Sequence, residues 1–197
     1  MATSYGTTWW GKEWLASLTK IDYANRIPRG KSYANTGKVL DLTITDNVIS
    51  AKVKGHYASS YRITIKVPQV SAKDRTKLMD LILTKPNIMA SLSNKILDPE
   101  LLDIASSLDI SIFPKQWRDL DMKCNCPDFA VPCKHIAAVI YMVSMEIDRD
   151  PFVLFRMRGI DLLMELKKRK INLDRAEEVS IPESMSYLLF HQRIILY

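Results

Sequence analysis

The sequence predicts an α+β protein, and three observations carry that prediction. Apolar residues alternate in three runs between residues 39 and 67, helical periodicity takes over from Ser71, and all three cysteines gather with a histidine at 124–135 ahead of a further apolar helix. The organisation this suggests is a basic β-meander with a Trp-rich helix over 1–70, a helical connector over 71–118, the cysteine–histidine segment over 119–150, and a helical C-terminal part over 151–197.

Taken in order, Thr7 to Leu18 reads as a short amphipathic helix. A threonine can cap its start, and Trp10, Trp14 and Leu18 recur on one face, with Trp9 about 100° away at an edge. Residues 26–38 read as a basic loop punctuated by Pro28, Gly30 and Gly37. The runs 39–45, 48–54 and 61–67 follow, with Asp46-Asn47 as the first turn and 55–60 as the second break, so an antiparallel meander is expected. A period of two puts Lys52 and Lys54 on one side of their strand, and Arg62, Thr64 and Lys66 on one side of theirs. Ala51, Val53, Ile63, Ile65 and Val67 take the other side, which is expected to pack on the tryptophan helix. Ser71 caps a helix to Leu83 that Pro86 ends, and shorter helices are expected over 87–95 and 98–107. An extended connector, 111–117, leads into the cysteines. Beyond them an apolar helix covers 136–147, and helical segments are expected over 151–157, 159–170 and 183–195.

Composition narrows the function classes. At 47% hydrophobic the chain is ordinary for a soluble globular protein, with no apolar run of membrane-spanning length and no basic-then-apolar start of a signal peptide. Three cysteines beside a histidine suit a reducing compartment and a metal better than a disulfide framework, so a cytoplasmic location is expected. The apolar C-terminus, Ile194 to Tyr197, would also suit a fragment of a longer protein. The net charge of +6 is unevenly placed. Residues 1–70 hold ten lysines and arginines against four acids, while the remaining residues balance at eighteen of each. That asymmetry suits a polyanion partner for the first third, or a plain solvated basic surface.

The strongest signal is Cys124-Asn-Cys126, six residues, then Cys133-Lys-His135. Three thiolates and an imidazole are a tetrahedral zinc donor set. In an extended segment the side chains of Cys124 and Cys126 point the same way and can grip one ion. Pro127 and Pro132 stiffen the loop between the two pairs. Two positions on a regular helix are about 200° apart, so Cys133 and His135 reach one ion only if Cys133 lies at the helix cap. Four protein ligands close the coordination sphere, the mark of a structural rather than a catalytic zinc. Three thiolates and Zn²⁺ leave one negative charge, favoured beside a helix N-terminus and near Lys123 and Lys134. His56 and His191 are isolated in sequence and read as ordinary histidines.

At these residues the chain resembles the SWIM zinc finger. Its first third is also similar to that of bacterial SWIM zinc finger family proteins, in Thr8-Trp-Trp-Gly11, Arg26-x-Pro28-Arg-Gly30, Tyr33-x₃-Gly37-x-Val39 and Tyr61-Arg-x-x-Ile65. The resemblance covers most of 5–67 and 122–147. It implies zinc ligation by Cys124, Cys126, Cys133 and His135, a zinc-stabilised module credited with DNA binding or protein–protein contacts, an association with Swi/Snf-type helicase-like ATPases in prokaryotes, and no catalytic residues.

Two readings of function follow. In the first the chain is a nucleic-acid-binding module, DNA foremost and without sequence preference, with Arg26, Arg29, Lys31, Lys52, Lys54, Arg62 and Lys66 on phosphates and Tyr33, Tyr57 and Tyr61 available to stack on bases. In the second it is a protein-interaction subunit docking on a helicase-like ATPase through the apolar 136–164 stretch, with Met142, Met145, Met157 and Met164, unless that stretch is simply helical core. Lys167 to Lys170 reads as a solvated helix end favoured by the dipole. An enzyme is not expected: there is no Gly-rich phosphate loop, nucleophile elbow or paired-acid signature, and neither a membrane nor a small-molecule substrate is implied.

Overall fold

A computed structural model describes residues 4–19, 26–56, 58–128 and 130–171. The expected 183–195 helix, Tyr57 and His191 lie outside the described residues, as does the side chain of Leu18. The architecture is α+β, with one four-stranded antiparallel sheet in the order β1-β2-β3-β4, made of β1 (Val39–Thr45), β2 (Val48–Val53), β3 (Tyr61–Lys66) and β4 (Asp121–Cys124).

The meander keeps the predicted alternation of its two sides. Lys52 stands opposite Arg62, Ser50 opposite Thr64, and Ile49 opposite Ile65, so the basic and dry sides alternate as expected. Lys52, Lys54, Arg62 and Lys66 are exposed, whereas Ile49, Ala51, Val53, Ile63, Ile65 and Val67 are buried. A bulge falls between Leu40 and Thr43, where Asp41 takes a φ of 51°. The fourth strand comes from the far side of the helical connector. Its four residues are too few for alternation to be read, and it is held by pairing Ile63 with Cys124 and Ile65 with Met122.

What covers the dry side corrects one expectation. The tryptophan helix, α1 (Trp9–Thr19), does not pack on the sheet. That place is taken by α6 (Lys134–Arg149), which touches all four strands, and α1 packs on α6 instead. The indoles of Trp10 and Trp14 donate to the Ile147 and Ile140 carbonyls at 3.0 and 3.2 Å, so both rings are buried without an unpaired N–H. Trp9 sits at the edge, half-buried, and donates to the Leu97 carbonyl at 3.1 Å.

The second correction concerns 26–38, which is not a loop up to its end: Arg26–Asn35 form α2, and α2 is the most extensive neighbour of α6. Pro28 lies within the first turn, where backbone N–H groups have no intrahelical partner anyway. Gly30, a poor helix former, stands where a Cβ would come within 2.4 Å of the Ala137 Cβ. The glycine thus reads as a loop signal in sequence and serves as a close helix crossing in three dimensions.

The remaining helices are α3 (Ala72–Leu83), capped by the Ser71 hydroxyl, α4 (Pro86–Ser93), α5 (Glu100–Ser107), α7 (Phe152–Met157) and α8 (Leu162–Lys168). Pro86 both ends the α3 stretch and begins α4 as its first residue. One hydrophobic cluster runs through the Trp helix, the sheet, the connector helices and α6 to α8. Within it α6 is buried nearly all round, as a helix must be when a sheet covers one side and two helices the other. Among the described residues no helix is long and apolar enough to cross a membrane.

Candidate metal centre

Cys124, Cys126, Cys133 and His135 come from three local structures that the fold brings to one point. Cys124 ends β4, Cys126 follows in the loop, and Cys133 is the N-cap of α6, with φ −80° and ψ 172°, one residue before helical geometry begins. This is the cap position that the Cys-x-His spacing requires. The loop is tied at its start and again near its middle. Asn125 prolongs the β3–β4 pairing by accepting from the Arg62 N–H at 2.7 Å, and the Asp128 carboxylate accepts from the Ala130 N–H at 3.2 Å. The Val131–Pro132 peptide bond is cis.

The four candidate donor atoms all lie within 4.8 Å of one another. The Nδ1 atom of His135 is 3.8 Å from the Cys133 sulfur and 3.9 Å from the Cys124 sulfur. A tetrahedral zinc with ordinary Zn–S and Zn–N bonds separates its ligand atoms by roughly 3.5–3.8 Å, so the cluster has the right size for one ion. The imidazole presents Nδ1 to the sulfurs and leaves Nε2 buried without a hydrogen-bond partner.

Electrostatics agree with that fit. The Cys133 thiol is held down to about 4, first by a hydrogen bond from Cys124 and against the effect of burial, with the His135 side chain and the backbone N–H groups of His135 and Ile136 adding to the lowering. Cys124 is pushed up, chiefly by the same hydrogen bond and then by burial, and Cys126 is pushed up chiefly by burial. Burial and the neighbouring sulfurs oppose ionisation of all three thiols together. A dication is what allows all three to ionise, and the residues therefore fit zinc.

The surroundings hold residues the sequence did not mark as part of the site. His135 is 3% exposed and lies between two tyrosines: Tyr61, with ring centroids 4.7 Å apart, and Tyr33 of α2, edge-on at 5.5 Å. Tyr61, read from sequence as a base-stacking candidate, is buried against the imidazole and is not available for stacking. Tyr33 is half-buried. Lys38 and Lys134 place their ammonium groups over the Tyr33 ring at 4.1 and 5.4 Å. A cleft beside the cluster is lined by His56, Tyr61, Cys126, Pro127, Asp128, Lys134 and His135. His56, isolated in sequence, thus joins the wall of the cleft through tertiary structure alone.

The seven basic residues singled out in sequence divide between two surfaces. Lys52, Arg62 and Lys66 lie on the outer face of the sheet, joined there by Lys123, which stands opposite Thr64, while Lys54 follows the end of β2. Arg26, Arg29 and Lys31 lie on α2, where Arg26 pairs with Asp128 of the metal loop at 3.5 Å. The methionines of 136–164 do not form one surface: Met157 is fully buried, Met142 and Met145 are half-buried, and Met164 is 54% exposed.

Residues 109–144 match the SWIM zinc finger family. A Mycobacterium tuberculosis protein described as "Uncharacterized protein Rv2102" is 34% identical over 183 residues, covering 89% of this chain. The chain spans 66% of that protein's length. No solved structure matches the chain.

Proposed function

We propose, for a chain that carries a SWIM zinc finger at residues 109–144, a non-catalytic accessory role in which one structural zinc holds together a module that binds nucleic acid, DNA foremost and without sequence preference. The observation that carries the reading is the basic first third, most of whose described cations lie at the surface. Arg29, Lys31, Lys52, Lys54, Arg62 and Lys66 are all exposed, and Arg62 and Lys66 have no carboxylate partner among the described residues. Phosphate contacts of this kind need no base-reading element, which suits binding without sequence preference. Zinc is structural in this reading because four protein donors leave no coordination position for a substrate or water.

The experiment is metal analysis by mass spectrometry followed by titration of labelled duplex DNA into the same sample at two salt concentrations. One zinc per chain is expected, with affinity that falls steeply between about 50 and 200 mM salt, by about 0.9 logarithmic units per contacted phosphate for each tenfold rise in salt. Full zinc content with no salt-dependent DNA binding would exclude the nucleic-acid reading.

The alternative is a subunit that docks on a Swi/Snf-type helicase-like ATPase. It has a narrower basis, because most of the apolar 136–164 stretch lies within the core. Leu81 of α3 with Leu163 and Met164 of α8 are the exposed apolar residues it would use, on helices tied together by the Arg169–Asp80 ion pair. Such docking would change little with salt.

A further inference from the structure

Cations from separate parts of the chain meet around one aromatic ring at the metal end of the molecule. Lys38, just after α2, and Lys134, the first residue of α6, both lie over Tyr33. Arg26 and Arg29 fall on the Tyr33 side of α2, being seven and four residues before it. Neither Lys38 nor Lys134 has a carboxylate partner among the described residues, and the one acid of the adjoining loop that meets this group, Asp128, is already paired with Arg26. Two ammonium groups drawn to one ring repel each other, and attraction to the ring face offsets only part of that repulsion. An anion that reaches both would relieve it.

The outer face of the sheet differs in this respect, since acids are interleaved among its bases. Asp41 pairs with Lys52 at 2.9 Å, and Asp121 is 3.7 Å from Lys123 while standing opposite Lys66. Half of the positive charge of that face is locally neutralised. The cations at the metal end come from a helix, the turn after it and the start of α6, with Arg29 exposed and Lys38 and Lys134 half-buried, a spread that suits a chain of phosphates better than one small anion.

We infer that the phosphate backbone of a nucleic acid docks at the metal end, across Tyr33 and against Lys38, Lys134 and Arg29, rather than on the outer face of the sheet. This rests on the nucleic-acid reading above and specifies its site. It also gives the metal a role in binding: Lys134 lies between the ligands Cys133 and His135, so closing the metal loop puts its ammonium in place.

The test is fluorescence anisotropy with a labelled random-sequence duplex, at about 50 and about 200 mM salt, on chains whose zinc content is measured first. The Lys38→Gln/Lys134→Gln pair should bind about tenfold or more weakly, with its salt slope reduced by about 1.8 for two lost phosphate contacts. The Lys52→Gln/Arg62→Gln/Lys66→Gln triple should lose less than that pair although it removes more charge. A charge-matched pair of exposed lysines elsewhere, Lys95→Gln/Lys115→Gln, should stay within about twofold of the parent. If the Lys134 change lowers zinc content, Arg29→Gln/Lys38→Gln, which leaves the residues flanking the ligands untouched, should show the same loss. A metal-end variant that binds like the parent, or a sheet variant that loses more, overturns this site while leaving nucleic-acid binding in place. A parent chain without salt-dependent binding overturns the nucleic-acid reading itself, and this inference with it.

Discussion

Cys126 is the candidate ligand to test first, because it sits in the loop rather than in a strand or helix: it is half-buried, with the Asp128 carbonyl 3.8 Å from its sulfur. Cys126→Ser changes almost no packing, so its effect reports the metal. Zinc content should fall, and loss of a structural ligand should destabilise by about 3 kcal/mol or more, a melting temperature lower by about 6–12 °C. A variant with full zinc and unchanged melting would show that Cys126 is not a ligand. Gly30 makes a separate residue-scale prediction. A Cβ there meets the Ala137 Cβ at 2.4 Å and backbone atoms of 137 and 138 at 3.0 Å, so Gly30→Ala must push α2 away from α6. Although alanine favours helix, the overpacking should dominate and cost about 1–3 kcal/mol, read as a lower urea midpoint. A stabilised Gly30→Ala would mean that the two helices do not approach this closely.

Among the elements, α6 carries the most connections, and one of its side chains explains a sequence motif. Asp148, near its C-terminus, accepts from the backbone N–H groups of Thr7 and Thr8 at 2.9 and 3.0 Å and from the Thr8 hydroxyl at 2.5 Å. The Thr8 hydroxyl in turn accepts from the Gly11 N–H at 3.0 Å, capping α1. Gly11 is needed because a Cβ there would fall 2.1 Å from the Asp148 carboxylate. Thr8-Trp-Trp-Gly11 is thus a docking motif: a cap, two indoles that bond to neighbouring carbonyls, and a gap for an aspartate from a distant helix. Asp148→Ala should therefore cost about 1–2 kcal/mol, shifting the urea midpoint with an unchanged slope. A neutral result would separate α1 docking from this carboxylate.

Over the whole molecule, the metal loop lies between the two elements that organise the core. Before it, β4 completes the sheet by pairing with β3; after it, α6 fills the space between the sheet and the helices α1 and α2. Zinc removal is therefore expected to release more than 119–150. In hydrogen exchange after chelation, protection should fall in β3 and α2 as well, because binding energy at a structural site is folding energy shared by everything packed on it. Loss confined to the metal loop would show that the core persists without the ion.

The meander, its two faces, the Ser71 cap, the apolar helix after the cysteines and the candidate ligand cluster were all legible in sequence. Each rests on short-range rules: strand alternation, a capping side chain, or ligand spacings that local backbone geometry can satisfy. The helix at 26–35 was not legible, since Pro28 and Gly30 punctuate it and only Ala137, more than a hundred residues away, gives Gly30 its reason. Nor was β4, which four residues cannot announce without the partner strand that holds it. The sequence by itself determined which atoms can bind a metal and which strand face is dry. Only the tertiary structure decided that α6 rather than the tryptophan helix covers that face, and that Lys38, Lys134 and Tyr33 meet beside the metal, because those placements come from packing between segments far apart in the chain.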